Sequence, residues 1–119
     1  MINISDKEMQ VIKAILKEYL PDYEVRAFGS RVNGNSKPYS DLDLVVIGLN
    51  KIDLKTMFRT EEAFEESILP FRIDLLDWNS ISESFQRIIE QKYKVIQAGY
   101  DINNTPKNKT AGRYDKKQP

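Results

Sequence analysis

The sequence predicts an α/β (α+β) domain: a small mixed β-sheet with flanking helices. Three observations carry that expectation. Apolar residues recur at helical spacing in three stretches, separated by short runs of strand character. The run Leu44-Val45-Val46-Ile47 is apolar without alternation, the pattern of a strand buried on both faces. A helix-length segment joins this run to the next strand, which predicts a parallel pair. Only a short loop joins it to the strand before, which predicts an antiparallel pair.

Taken in order, Ser5-Asp6-Lys7-Glu8 reads as a capping box. Met9, Ile12, Leu16 and Tyr19 follow at helical spacing, with Ile15 and Leu20 widening the stripe, and Pro21 ends the helix. Tyr23 to Phe28 is a short strand. Gly29-Ser30 starts a tight turn with one helical turn from Ser30, and Asn33 to Pro38 is loop by composition. Asp41 to Ile47 is the second strand. Asp53 caps a second long helix, to about Ser67, whose stripe is Leu54, Met57, Phe58, Glu61, Phe64 and Ile68. Glu61 sits at the edge of that stripe; Glu62, Glu65 and Glu66 read as a solvated face. Phe71 to Trp78 is the third strand, with Trp78 expected in the core. Ser80 or Ser82 caps the last helix, which carries Phe85, Ile88, Ile89, Lys92 and Ile96 along one side and ends at Gly99.

Composition removes several chemistries. The 119 residues include no cysteine and no histidine. Disulfides, thiolate metal sites, cysteine nucleophiles, the usual zinc sites and histidine bases are therefore excluded. Proton transfer must use carboxylate, lysine, tyrosine or water. No stretch approaches a membrane span, and the N-terminus lacks signal-peptide character, so a cytoplasmic protein without membrane contact is expected. Net charge is zero overall but uneven: residues 101–119 carry +3 and the first hundred −3. An acidic folded part argues against a direct nucleic-acid surface.

The acids fall in a pattern. Asp41 and Asp43 share one face at the entry to the second strand. Asp74 lies within the third strand, and parallel pairing would bring it to the same site. Asp77 has the opposite parity. Like charges held that close call for a cation, and an all-oxygen set suits magnesium first, with manganese as a substitute. Two such ions form the usual clamp for displacement at phosphorus. Gly29 would let a phosphate approach the backbone, and Ser30 offers hydroxyl and N–H to it. Arg31 is a candidate phosphate or partner contact, with a solvated arginine as the alternative. Lys37 and Tyr39 stand on the adjoining loop. The plain alternative for Asp74 is a sheet-edge carboxylate paired with Arg72 or Arg26.

Gly29-Ser30, ten residues, then Asp41-Leu42-Asp43 resembles the signature of the DNA polymerase β-like nucleotidyltransferase superfamily. Arg72-Ile73-Asp74-Leu75 looks like its third-carboxylate strand. Size, Gly-Ser-Arg and Ser-Asp-Leu-Asp-Leu look most like the minimal nucleotidyltransferases, the MntA-type antitoxins of HEPN-MNT toxin-antitoxin pairs. The resemblance covers about residues 5–98. It implies a nucleotidyltransferase domain over 1–99 and leaves a basic, poorly ordered tail over 100–119. It further implies transfer of AMP from ATP to a tyrosine of a HEPN-domain RNase toxin. Asp41 and Asp43 would bind two Mg2+ ions, Asp74 one of them, and Gly29 and Ser30 the β- and γ-phosphates. Two other readings stay open: a small-molecule, aminoglycoside-type nucleotidyltransferase, and an inert antitoxin acting by binding alone.

Overall fold

The first helix opens as its capping box predicts. In the computed structural model, which describes residues 2–99, Ser5 Oγ accepts from the Glu8 N–H and Glu8 Oε1 accepts from the Ser5 N–H. That helix, α1, runs Asp6–Tyr19 and buries Ile12 and Leu16. β1 follows at Glu24–Phe28, a single helical turn α2 at Ser30–Asn33, and β2 at Leu42–Ile47. α3 spans Leu54–Glu65, capped by Asp53, and β3 spans Ile73–Asp77. A 3-10 turn at Trp78–Ser80 leads to α4, Glu83–Gln91, capped by Ser82, and to β4, Lys94–Gln97. The tail expected over 100–119 lies outside the described residues.

The strands form one sheet in the order β3-β2-β1-β4. β1 and β2 are antiparallel and β2 and β3 parallel, as the connection lengths predict. Alternation divides the sheet into two faces. On one, Val25, Ala27, Leu42, Leu44, Val46 and Leu75 join α1 and α3 in the main core. Each buried Val or Leu side chain among them contributes about 1.5–3 kcal/mol. On the other, Phe28, Val45 and Ile89 form a smaller cluster under α4, closed by Leu76, Trp78 and Phe85. This explains why β2 reads as apolar on both faces. Among the described residues, no helix is long and apolar enough to cross a membrane.

Two expectations are corrected. The last helix stops at Gln91, and residues 94–97 pair antiparallel with β1 instead of extending it. Ile96 is therefore a core residue of a strand, and Gly99 is not the C-cap of α4. The open hydrogen-bonding edge of β1 outweighs the helical spacing of Lys92 and Ile96, because strand pairing satisfies backbone groups a frayed helix end leaves free. The second correction is the roll of α3. Thr60 and Phe64 are buried, whereas Leu54 is 84% and Phe58 60% exposed. Ile68 lies beyond the helix end, 74% exposed.

Candidate active site

The site sits on the α4 face of the sheet, at the end that α4 leaves uncovered. Register puts Asp43 directly beside Asp74, and Phe28, the residue before Gly29, opposite Asp43. Asp43, Val45, Asp74 and Leu76 share one face by alternation, so each strand is polar at the site and apolar under α4. Asp41 precedes β2 on the same face.

Gly29 is the closest fit. Its φ is +84° with ψ −157°, a conformation essentially restricted to glycine. A Cβ there would overlap Asp43 Oδ2, with Asp43 Cγ at 3.1 Å. The turn before α2 is thus seated against the Asp43 carboxylate, which only a bare backbone permits. Gly29 also acts as the N-cap, its carbonyl accepting from the N–H groups of Val32 and Asn33.

Asp43 is electrostatically uncomfortable. Burial first, then the neighbouring Asp74 and Asp41, raise its carboxyl from 3.8 to about 6. A raised carboxyl pKa means the folded chain holds this proton more tightly than the unfolded chain does. Metal-free stability should therefore fall as pH rises from about 4 to about 6, then level off. The side chain is only partly buried, so screening reduces the effect to about 1 kcal/mol. Urea unfolding in chelator across that window should show the slope, and Asp43→Asn should remove it and raise the midpoint at neutral pH.

Asp41 leans the other way. Its Oδ2 accepts from Arg72 Nη2 at 3.2 Å, an exposed pair set by the β2–β3 register that aligns Leu42 with Ile73. The alternative that Arg72 pairs with Asp74 is thus replaced by Arg72 with Asp41. Among the described residues, no three carboxylates converge tightly enough to hold an ion as arranged. The donors nonetheless fit a hard divalent cation. All are oxygens, and Asp43 carries the repulsion that a cation would relieve.

Arg31 is placed differently from either expectation. It is 5% exposed, and its guanidinium donates to the carbonyls of Ser40 (3.0 Å), Asn3 (2.8 Å) and Pro38 (3.1 Å). The ring of Phe71 lies 4.2 Å beneath it. With three of its five N–H groups donated to these carbonyls, Arg31 ties the 33–41 loop to the N-terminal segment. Arg31→Ala should lower stability by about 2–4 kcal/mol, because charged hydrogen bonds to three carbonyls are lost together. A urea-midpoint comparison with the unsubstituted chain checks this. Asp77 also serves the fold. At 8% exposure it accepts from the Ile52 N–H at 2.8 Å and the Asn79 N–H at 3.0 Å, pinning the 48–53 loop to the end of β3.

A cleft of about 560 Å³ runs from Asp41 and Asp74 around the β3 edge to α3. Glu61 and Glu65 line it, together with Tyr39 and Arg72. Composition and periodicity placed these glutamates at the stripe edge and on a solvated face; only the packing of α3 beside β3 brings them to the site.

The chain matches the model of the nucleotidyltransferase domain family over residues 9–97. It is 50% identical over 96 residues to a Haemophilus influenzae protein described as "Probable protein adenylyltransferase MntA", covering 81% of this chain and 84% of that one. Its fold resembles a crystal structure of a toxin-antitoxin with AMP-PNP, with a TM-score of 0.64 at 22% identity, covering 80% of this chain and 76% of that one. It also resembles the structure of a tri-AMPylated Shewanella oneidensis HEPN toxin in complex with MNT antitoxin, with a TM-score of 0.61 at 20% identity, covering 84% and 76%. By the family match and by identity to the Haemophilus protein, this chain belongs to the nucleotidyltransferase domain family, on its minimal, MntA-like branch.

Proposed function

We propose that this chain is an antitoxin that transfers AMP from ATP to a tyrosine of a cognate HEPN-domain RNase toxin and so inactivates it. The observation that carries the reading is the seating of Gly29 against Asp43, with Asp74 in register beside it. A backbone that can approach phosphate is thereby backed onto a carboxylate pair, in a chain half identical to a protein called MntA.

The resemblance to the nucleotidyltransferase family implies a division of labour among these residues. Asp41 and Asp43 would hold two magnesium ions, and Asp74 the one on the acceptor side, with manganese able to substitute. When bound, such a pair of ions lowers the pKa of the acceptor hydroxyl and neutralises charge on the triphosphate. Asp41 must leave Arg72 to take part, a small cost because exposed ion pairs contribute about 0–1 kcal/mol. Gly29 seats the turn against Asp43, and its backbone, with the Ser30 hydroxyl and N–H, would hold the β- and γ-phosphates. The tyrosine oxygen bonds to the α-phosphorus while the P–O bond to the β-phosphate breaks, and pyrophosphate leaves. Asp74 accepts the tyrosine proton. A phenol of pKa ~10 needs that help at neutral pH.

Incubation with Mg·ATP and the cognate HEPN protein, followed by intact-mass measurement, tests the reading. The expected result is a mass increase of one or more AMP units on the toxin, mapped to a tyrosine, with loss of its RNase activity. An unmodified toxin that stays active would refute it.

A further inference from the structure

The outer wall of the cleft beside the carboxylates is not neutralised. Its charged lining comprises Asp41, Glu61, Glu65 and Asp74 against Arg72 alone. Arg72 is spent on Asp41, and among the described residues neither Glu61 nor Glu65 is in an ion pair. Divalent ions would balance the aspartates and leave the glutamates unmatched. The same helix face continues past the cleft. At 100° per residue, Leu54, Phe58, Glu61 and Glu65 form one row along α3, the first two strongly exposed. At the far wall, Tyr39 is 89% exposed. Exposed aromatic residues beside an acidic cleft are the kind of side chain that anchors protein interfaces.

We propose that this surface, from Leu54 and Phe58 through Glu61 and Glu65 to Tyr39, docks the acceptor-bearing segment of the partner protein. That segment is basic, with an apolar anchor for the Leu54–Phe58 end. Charge complementarity selects a basic occupant, and continuity with Asp41 and Asp74 makes the acceptor hydroxyl arrive at the carboxylates. The proposal rests on the adenylyl-transfer reading for why an acceptor must reach this site. β3 is an edge strand, so no element of the sheet closes this approach.

The test is calorimetric titration of the cognate HEPN protein into the full chain and into two double variants, Leu54→Ser with Phe58→Ser and Glu61→Lys with Glu65→Lys. All four residues are exposed, and thermal midpoints confirm that the variants fold. Each variant should weaken the complex at least about tenfold. The charge-reversal loss should shrink as salt is raised, whereas the apolar loss should not. The Leu54/Phe58 variant should bind a fluorescent ATP analogue as the unsubstituted chain does. Unchanged affinity in both variants overturns the proposal, as does an unsubstituted chain that forms no complex. So does self-association of the chain that the Leu54/Phe58 variant abolishes while partner binding stays intact. Intact mass of the partner is read in parallel: a bound but unmodified toxin counts against adenylyl transfer, while the affinities alone decide the docking surface.

Discussion

Asp41→Asn combined with Asp43→Asn should lower AMP transfer to the HEPN partner by at least about a thousandfold while the complex still forms. Asparagine keeps the shape of each side chain but removes the charge that both ions would need, and stabilisation of developing charge supplies the largest share of such a reaction. The substitution does not threaten the fold. Asp43 is held near a pKa of about 6 by burial and by Asp74 and Asp41, so losing its charge relieves repulsion in the metal-free chain. Mass spectrometry of the toxin, read beside size-exclusion of the complex, separates the outcomes. Loss of modification with an intact complex and an active RNase is the expected result. A toxin that stays silenced by the double variant would assign neutralisation to occlusion, and transfer would then be dispensable.

Gly29→Ala should be the most damaging single-methyl change in the chain. It forces a side chain into a φ/ψ region that costs about 1–3 kcal/mol, and its Cβ overlaps Asp43 Oδ2. The carboxylate must swing aside, which displaces the site together with the backbone. Stability should fall by about 2–4 kcal/mol, and transfer should be lost even at saturating ATP. Gly34→Ala is the matched control. Its φ is +85°, but nothing lies within 4 Å of a Cβ there. It should cost about 1 kcal/mol and leave transfer near normal. Urea midpoints and initial rates for the pair check both statements. Equal effects at the two positions would mean that backbone strain, not the approach to Asp43, governs Gly29.

Local signals were legible where local chemistry decides. The capping box at Ser5, the cap at Asp53 and the turn at Gly29-Ser30 depend on neighbours a few residues apart, and the structure shows each of them; for α4 the sequence left Ser80 and Ser82 open and the structure selects Ser82. The parallel placement of Asp74 was also legible, because a helix-length connection between strands allows little else. Residues whose role depends on distant partners were not. Arg31 follows Ser30 on the turn after β1, yet its acceptors are the carbonyls of Asn3, Pro38 and Ser40. β4 was hidden because Lys92 and Ile96 continue a helical spacing, and only the free edge of β1 shows why the chain turns back.

The sequence by itself determined the fold class, the order of the first three strands and the candidacy of Gly29, Ser30, Asp41, Asp43 and Asp74. Periodicity, caps and connection length are properties of neighbouring residues, and they survive without coordinates. Tertiary structure alone decided the roll of α3, the Asp41–Arg72 pair, the burial of Arg31 and the cleft that joins Glu61 and Glu65 to the aspartates. Each of these arises from a contact between segments far apart in the chain. Such contacts are set by which faces win burial in the shared core, a competition that no single stretch of sequence records.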